Sequence, residues 1–442
     1  MKSKKTINPL IFIELNEINF DVAKKYIQQR ILNLPNFKRL LEGHFIRTSS
    51  ERQYHLLEPW IQWVSVHTGL KFKEHRIFRL GDIAGSGLSQ IFEKLEQHNL
   101  SVGAISPMNA ENKMLSAKYF IPDPWTKSIT DGSFWSRALA NTISQAVNDN
   151  AQSKLSMKGI IILLVALIKF SKIKHYPIYF KLAFTSRNAP WRKALFLDLF
   201  LHDIHLTLFN NNKNDFSVLF LNAGAHIQHH YFFNSKPIKK LSRSRNPLWY
   251  IKDELDPVAE VLTLYDLILG EYLKTHSELI VATGLSQSPY DQIKYYYRLK
   301  NHQDFLTLMG ISFKDVLPRM TRDFLITFHT KNAALKAQNI LRSIKTINQG
   351  ISLFKEVDNR GSNLFVTLTY PHEINKDCKI KARDGEVISL VDHVAFVAIK
   401  NGMHQEEGFA FFTNKASKFS PKNKAHVKEL YYSILNFFGI AL

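Results

Sequence analysis

Short apolar runs alternate with longer helix-like segments along much of this chain of 442 residues. Clear examples of such runs are residues 10–13, 101–105, 216–221 and 278–282. A strand that is covered on both faces needs apolar side chains throughout, and helices between such strands supply the cover. The sequence therefore predicts an α/β fold with a mostly parallel central sheet and helices on both faces.

Two segments depart from this alternation. Residues 130–212 contain long helical segments with few strand signals, which indicates a helical insertion that caps the rest. Residues 323–375 combine two strand-like runs with one helix and predict a small α+β subdomain. We expect the α/β core to be formed by the remaining residues, 1–129, 213–322 and 376–442.

The balance of charges points to anionic partners. The chain has 58 Lys and Arg against 38 Asp and Glu, a formal net charge of +20. Such a surface attracts phosphate esters, acidic glycans, nucleic acids and anionic membranes. Because the sequence contains no recognisable nucleic-acid-binding module, we expect an anionic small molecule, a phosphate ester or a glycan, and no specific nucleic acid.

The cysteine count and the apolar run near the N-terminus bear on the redox state and the targeting of the chain. Cys378 is the single cysteine, which excludes an internal disulfide framework and a cysteine-rich zinc site. The apolar run near the N-terminus is interrupted by Glu14 and lacks a small-residue cleavage site, so it is typical of a core strand rather than of a signal peptide. These features predict a cytoplasmic protein.

The apolar stretch 159–168 is about half as long as a membrane-spanning helix. Lysines flank it on both sides, among them Lys158 and Lys169. Two interpretations stay open: a buried helix of the insertion, or a helix that lies on an anionic membrane surface. The second would place residues 158–174 against the inner face of the membrane.

Three imidazoles follow directly on the predicted strand 216–221: His226, His229 and His230. In open α/β sheets the chemistry lies at the carboxyl ends of the strands. Histidine is a common metal ligand and exchanges its proton near neutral pH, so this cluster is a candidate site. Histidines that only satisfy local hydrogen bonds are the competing interpretation.

Several strand-end segments occur in an order that resembles the alkaline phosphatase superfamily, in its type I phosphodiesterase and nucleotide pyrophosphatase branch. The resemblance covers most of the chain outside the helical insertion, and its motifs are residues 11–14, 34–40, 63–70, 220–229 and 402–408. A narrower set resembles a divergent bacterial subgroup often associated with polysaccharide biosynthesis: residues 14–17, 57–63, 106–109, 122–125 and 225–231.

The superfamily resemblance implies an active site in which two divalent metals bind a phosphoryl group while a Thr, Ser or Cys attacks it. By position in the motifs, Glu14 corresponds to the aspartate of the first strand. His229 and His404 correspond to two of the metal-binding histidines. The resemblance therefore implies a phosphodiesterase-like or phosphatase-like hydrolase or transferase.

The catalytic motifs are nevertheless altered. Pro59 or Glu58 takes the place of the nucleophilic Thr, Ala225 replaces a metal-binding Asp, and residues 281–287 replace the Asp-His loop. A two-metal site is therefore not expected. Three imidazoles and a carboxylate suffice for one zinc or manganese ion with an open position for water, and metal-free acid/base catalysis by Glu58 and a histidine is the other option.

We consider two functions from different classes. The first is a divergent enzyme that acts on a phosphate- or glycan-containing substrate; the second is an accessory protein that binds a glycan or a partner on the same scaffold. For Glu14 and Glu17, capping of the following helix is the structural alternative, and for residues 58–60 it is a tight turn. The predicted site comprises Glu14, Asn16, Glu17, Glu58 and Gln62 as catalytic residues, Trp60, Trp63, Asn222 and Gln228 as substrate-binding residues, and His226, His229 and His404 as metal ligands.

Overall fold

The computed structural model describes residues 8–148, 156–240, 244–319 and 322–440. The strands are Leu10–Leu15 (β1), His44–Ser49 (β2), Val102–Ile105 (β3), Tyr119–Ile121 (β4), Phe216–Leu221 (β5), Glu278–Ala282 (β6), Ser286–Leu299 (β7), Asp315–Pro318 (β8), Asp323–Thr327 (β9), Glu356–Asn359 (β10), Asn363–Thr367 (β11), Lys379–Lys381 (β12), Val387–Ser389 (β13), Val394–Gln405 (β14), Glu407–Phe412 (β15) and Ala425–His426 (β16). The helices are Phe20–Gln28 (α1), Pro35–Glu42 (α2), Pro59–Thr68 (α3), Phe72–His75 (α4), Ile91–Gln97 (α5), Phe134–Asn148 (α6), Met157–Phe170 (α7), Tyr176–Thr185 (α8), Arg192–Asn212 (α9), Ala223–Tyr231 (α10), Lys236–Lys239 (α11), Pro257–Tyr272 (α12), His302–Leu308 (α13), Lys331–Ser343 (α14), Leu390–His393 (α15) and Glu429–Phe437 (α16).

The largest sheet has eight strands within the described residues, in the order β16-β2-β15-β6-β1-β5-β3-β4. β1 lies at its centre and runs parallel to both of its neighbours, β5 and β6. β15 runs antiparallel to β2 and β6. The mostly parallel α/β architecture predicted from the sequence is therefore confirmed.

Strand β1 explains why the sheet needs cover on both sides. Its side chains alternate between two apolar clusters: Ile11 and Ile13 face the one that contains residues of α1, α9 and α12. Leu10 and Phe12 face the one that contains residues of α3, α5 and α16. Because every residue of β1 is buried, an apolar sequence is required on both faces of the strand.

Four long helices, α6 to α9, occupy the range that the sequence predicts as an insertion. The last of them, α9, is bound to the core through the carboxylate of Asp198. This carboxylate accepts a 2.8 Å hydrogen bond from the backbone N–H of Ala223 and a 2.6 Å bond from the hydroxyl of Tyr265. The insertion is thus tied to the first turn of α10. None of the helices in the described ranges is long and apolar enough to cross a membrane.

A second compact unit comprises residues 244–246 and 290–401, and the rest of the chain forms the first unit. In its described part this second unit has a four-stranded antiparallel sheet of order β10-β11-β9-β8, covered by α14. Its own apolar core includes the fully buried residues Phe305, Leu341 and Phe354. The strands and the helix predicted within 323–375 lie inside this unit.

Candidate active site

The site begins where β1 ends. Asn16 and Glu17 leave the sheet directly after Leu15, and Glu17 has the left-handed backbone conformation, with φ 59°. Its N–H donates to the carbonyl of Thr283 at 3.0 Å, which attaches the turn to the segment after β6. Asn19 then caps α1 by accepting a hydrogen bond from the N–H of Val22. Neither Glu14 nor Glu17 caps this helix, so the capping alternative is wrong.

Two histidines approach the Glu17 carboxylate from distant parts of the sequence. Helix α10, which follows β5, supplies His229, and the end of β14 supplies His404. Oε2 of Glu17 lies 3.0 Å from Nε2 of His229 and 3.1 Å from Nε2 of His404. The two Nε2 atoms are 3.1 Å apart. Glu17 is buried, whereas both imidazoles are partly exposed.

These three residues have the chemistry and spacing of a metal-binding group. Around a tetrahedral zinc ion with bonds of ~2.0–2.1 Å, neighbouring ligand atoms lie about 3.3 Å apart. The triangle formed by Glu17, His229 and His404 is close to this size, and one carboxylate with two neutral imidazoles suits zinc or manganese. The three side chains therefore fit a single divalent ion.

The electrostatics favour an ionised Glu17. Burial by itself raises the pKa of this carboxyl group, but the neighbouring imidazoles of His404 and His229 outweigh burial and lower the pKa well below its usual range. The carboxylate is therefore negatively charged at neutral pH. A buried negative charge that faces two imidazole nitrogens is suited to bind a cation.

A set of amides and one indole holds this carboxylate in place. Asn16 donates to Oε1 of Glu17 at 3.2 Å, and Gln287 donates from Nε2 to Oε2 at 2.5 Å. The indole N–H of Trp63 donates to the side-chain oxygen of Asn16 at 2.7 Å, and Asn16 donates to Asn222 at 2.8 Å. Because the Gln287 nitrogen is a hydrogen-bond donor, it cannot act as a metal ligand on this side of Glu17.

Glu58 lies next to this group. It precedes Pro59, the first residue of α3, and its Oε2 is 3.7 Å from Nδ1 of His404. Its side chain is partly exposed. Glu58 thus presents a second carboxylate on the other side of the His404 ring.

Two predicted residues are not brought to this group, and both expectations are corrected here. Glu14 is fully buried, and its Oε1 lies 2.7 Å from Nε2 of His67 in α3. Its side chain leaves β1 on the face covered by α3, whereas Glu17 lies beyond the end of the strand. His226 is exposed and packs against the ring of His230, one turn before His229 on α10.

Three further predicted residues are buried and direct their hydrogen-bond donors at other groups of the protein. Trp63 and Gln62 are both fully buried, and Gln62 donates to the carbonyl of Leu56. Gln228 is buried as well and donates to the backbone carbonyl of Glu17 at 2.8 Å. Trp60 and Asn222 are only partly buried, so a role in substrate contact remains a prediction for them.

Gln287 is the residue of this site that the sequence prediction missed. The segment 281–287 was recognised only as the replacement of a metal-binding loop. A buried Gln in the segment that follows the apolar strand β6 is the signal that could have identified it, because a buried amide needs hydrogen-bond partners.

A second cluster of His175, His202 and Glu271 lies in the helical insertion and α12. Nε2 of His202 is 3.0 Å from Oε2 of Glu271, and Nε2 of His175 is 3.2 Å from Oε1. The ammonium groups of Lys172, at 2.5 Å, and Lys174 contact the same carboxylate. Because these ammonium groups already neutralise Glu271, we treat the cluster as a buried ion-pair network.

No protein-family model and no curated protein matches the sequence. Solved structures do resemble it. One is phosphonoacetate hydrolase from Sinorhizobium meliloti 1021, with TM-score 0.44 and 12% identity over 98% of this chain and 96% of that one. Human ectonucleotide pyrophosphatase/phosphodiesterase 5 follows, with TM-score 0.43 and 11% identity over 98% and 95%. Alkaline phosphatase from the Antarctic bacterium TAB5 has TM-score 0.40 and 10% identity over 98% of both chains. All three are hydrolases of the alkaline phosphatase superfamily.

Proposed function

We propose that the chain is a divergent enzyme of the alkaline phosphatase superfamily that cleaves or transfers a phosphate ester with the help of one divalent metal. The observation that carries the proposal is the triangle of Glu17, His229 and His404, whose ligand atoms are 3.0–3.1 Å apart beside the carboxylate of Glu58. The sequence motifs that resemble the superfamily support it, because two of the three ligands occupy motif positions.

Each residue of the site has a separate role in the proposed reaction. Glu17, His229 and His404 hold the ion, which when bound neutralises charge on the phosphoryl oxygens. Asn16 and Gln287 orient the Glu17 carboxylate through their hydrogen bonds. Pro59 or Glu58, at the start of α3, takes the place of the nucleophilic Thr of the superfamily motif, so we propose direct attack by water or by an acceptor hydroxyl.

In the proposed step Glu58 acts as the general base. It takes the proton of the attacking hydroxyl as the new P–O bond forms, and the P–O bond to the leaving group breaks with its electron pair. The leaving oxygen then takes a proton from solvent. Oε2 of Glu58 lies 3.7 Å from Nδ1 of His404, the ring nitrogen that is not a proposed metal ligand.

We infer that the substrate is an anionic phosphate- or glycan-containing molecule of surface polysaccharide biosynthesis in a bacterial cytoplasm. The net charge of +20 supports an anionic substrate. The association with polysaccharide biosynthesis comes from the motifs that resemble the divergent subgroup. We also propose peripheral contact with the inner face of the membrane through residues 158–174.

Metal analysis of the purified full-length protein tests the proposal. We expect one equivalent of zinc or manganese in the wild type, and loss of that equivalent in His229→Ala, His404→Ala and Glu17→Gln. His226→Ala is the matched control, since this neighbouring histidine of α10 lies outside the group and its replacement leaves the metal in place. Retention of full metal content in His229→Ala and His404→Ala would overturn the assignment.

A second arm separates metal binding from catalysis. Glu58→Gln keeps the shape of the side chain but removes the base, so we expect full metal content with hydrolysis of bis-p-nitrophenyl phosphate lowered about 10²- to 10⁴-fold. His202→Gln, placed in the ion-pair network, leaves both readouts unchanged. A wild-type protein that binds metal but hydrolyses neither this diester nor p-nitrophenyl phosphate would contradict catalysis.

The accessory-protein alternative is favoured by one observation. The amide N–H of Gln287 donates to the carboxylate of Glu17. Gln287 belongs to the segment 281–287, which stands where the superfamily motif has the metal-binding Asp-His loop. An absence of bound metal in the wild type, together with saturable binding of an acidic oligosaccharide, would support the binding function instead.

A further inference from the structure

Helix α7 exposes a stripe of large apolar side chains. Met157, Ile161, Leu164 and Ile168 recur at helical spacing, and Ile161 and Ile168 are 56% and 75% exposed. The opposite face is formed by Gly159, Ala166 and Phe170, which are buried. The helix therefore has apolar side chains on both faces, because Phe170 packs against the described part of the chain while several other large apolar side chains are in solvent.

Exposed apolar side chains also occur in the two helices that follow α7 in the sequence. Ile173, in the short 3-10 helix that follows, is 82% exposed, and on α8 the side chains of Phe180 and Phe184 are 62% and 82% exposed. The two phenylalanine rings stack on each other with centroids 6.4 Å apart. We call α7, the 3-10 helix and α8 the apolar hairpin. Several large apolar side chains exposed along one stretch of sequence indicate a site of interaction.

The charges around the apolar hairpin indicate what it contacts. From residue 156 to residue 197 the sequence contains no Asp and no Glu, yet it contains eight basic residues: Lys158, Lys169, Lys172, Lys174, Lys181, Arg187, Arg192 and Lys193. A protein partner would tolerate either sign of charge at the edge of an apolar patch. Glu271 contacts Lys172 and Lys174, and Glu260 contacts Arg192. Lys158 and Lys169, at the two ends of α7, complement a uniformly negative surface such as anionic phospholipid headgroups.

The length of α7 distinguishes a helix that spans a membrane from one that lies on the membrane surface. Its 14 residues extend about 21 Å, which is shorter than the ~30 Å hydrocarbon layer. Lysines at both of its ends, Lys158 and Lys169, would remain at headgroup level. A helix of this kind lies in the plane of the interface with its apolar face among the acyl chains.

We propose that the apolar hairpin binds the surface of an anionic membrane, with Ile161, Ile168 and Phe184 inserted and with Lys158 and Lys169 on phospholipid headgroups. α9 connects the hairpin to the core, and its Asp198 contacts the first turn of α10, the helix that carries His229. Membrane contact at the hairpin therefore attaches the metal-binding helix to the membrane through one intervening helix. This surface does not depend on bound metal.

Flotation of the full-length protein with vesicles tests the inference. We expect the wild type to float with vesicles of phosphatidylcholine and phosphatidylglycerol, and at least tenfold less with phosphatidylcholine alone or at high salt. Ile161→Glu combined with Ile168→Glu should abolish flotation, since both carboxylates would have to enter the acyl region. The matched control is Leu115→Glu, another exposed apolar residue of the first unit, which should float like the wild type.

Charge and specificity are tested in the same assay. Lys158→Gln combined with Lys169→Gln should weaken flotation severalfold, whereas the pair Lys24→Gln and Lys73→Gln, which alters exposed lysines elsewhere, should not. His404→Ala should float normally, so a failure of the metal site would not imitate a failure of the surface. The inference is overturned if wild-type protein ignores anionic vesicles, or if the Ile161/Ile168 variant abolishes self-association or a protein complex instead of flotation.

Discussion

Trp63 contributes to the candidate site without being able to touch a ligand. Its ring is enclosed by Phe12 and Phe220 in edge-to-face contacts, and its only polar atom is directed at Asn16. Asn16 in turn donates to the carboxylate of Glu17. A core residue is thereby coupled to the orientation of a proposed metal ligand.

We predict that Trp63→Phe lowers both stability and metal affinity. The buried oxygen of Asn16 would lose its donor, which costs about 1–3 kcal/mol of the free energy of unfolding. Metal affinity should fall about 10- to 100-fold because the carboxylate loses its outer support. Urea unfolding and titration of the metal-free protein with zinc measure the two effects.

Trp60→Phe is the control for this pair. Trp60 lies three residues before Trp63 in α3. Its indole N–H donates to the carbonyl of Phe78, which is outside the Glu17 network. Its replacement should lower stability without changing zinc affinity. Equal loss of affinity in the two variants would show that Trp63 acts through general destabilisation.

The helices of the insertion are joined to α12 by charges rather than by apolar contacts alone. Glu271 of α12 contacts both His202 of α9 and His175, and His175 also binds Asp203 at 2.8 Å. Burial would lower the pKa of His175, but hydrogen bonds to Asp203 and Glu271 prevail and raise it from 6.5 to about 9. Burial likewise raises the pKa of Glu271, and its bonds to His175, His202 and the lysines lower it far below 4.5.

These directions define a pH window for the network. The stabilisation from His175 is complete below pH 6.5 and is lost as the pH rises through about 9. That from Glu271 is complete above pH 4.5 and is lost as the pH falls. The attachment of α9 to α12 is therefore strongest between pH 4.5 and 6.5.

We predict that the free energy of unfolding lost in His175→Gln shrinks by roughly 1–3 kcal/mol as the pH is raised from 6.5 to 9. Urea unfolding at several pH values measures this difference. His75→Gln provides a buried control: burial lowers the pKa of His75 to about 4, so the cost of its replacement should not vary over that range. Identical pH dependence of the two variants would contradict the network.

The sequence predicted the central elements well and the edges poorly. β1, β5 and β6 were recognisable because strands buried on both faces are mostly apolar. β2, with Arg47 in its middle and only two buried side chains, was not recognised, and neither was its partner β15. The last helix begins only at Glu429, because residues 425–426, which precede it, pair with β2.

The sequence predicted which residues belong to the candidate site better than it predicted where their side chains lie. His229 and His404 were identified from motif positions, and the structure brings them together with Glu17. The preference for Glu14 as the motif carboxylate rested on the position of the strand alone. The left-handed turn at Glu17, which carries its side chain past the strand end, leaves no mark in the residue types. The burial of Trp63 is equally invisible, since an aromatic residue is compatible with a core and with a sugar-binding wall.

At the scale of the whole molecule, the chain is divided into two units with separate apolar cores. The proposed metal ligands, Glu17, His229 and His404, all belong to the first unit. The chain leaves this unit after residue 289 and returns to it at residue 402, two residues before His404. The side chains of all three proposed metal ligands therefore belong to a single unit.

We predict that a cavity in the second core leaves the metal site intact. Phe305→Ala removes a fully buried ring and should destabilise residues 290–401 by about 3–5 kcal/mol. Hydrogen exchange should accelerate in α13, α14 and β9 but not in β1 or α10, with metal content unchanged. Leu139→Ala, in the first unit's core, is the reciprocal control. Acceleration throughout the chain in both variants would mean that the two units unfold together.

The division into two units also separates the chain's natural spectroscopic probes. All six tryptophans, at positions 60, 63, 125, 135, 191 and 249, belong to the first unit, and the single thiol, Cys378, belongs to the second. Burial raises the pKa of that partly buried thiol, so it reacts slowly while the surrounding fold is closed. Intrinsic fluorescence and disulfide-exchange kinetics on the unmodified protein would therefore follow the opening of each unit independently, without a fluorophore or a labelling mutation.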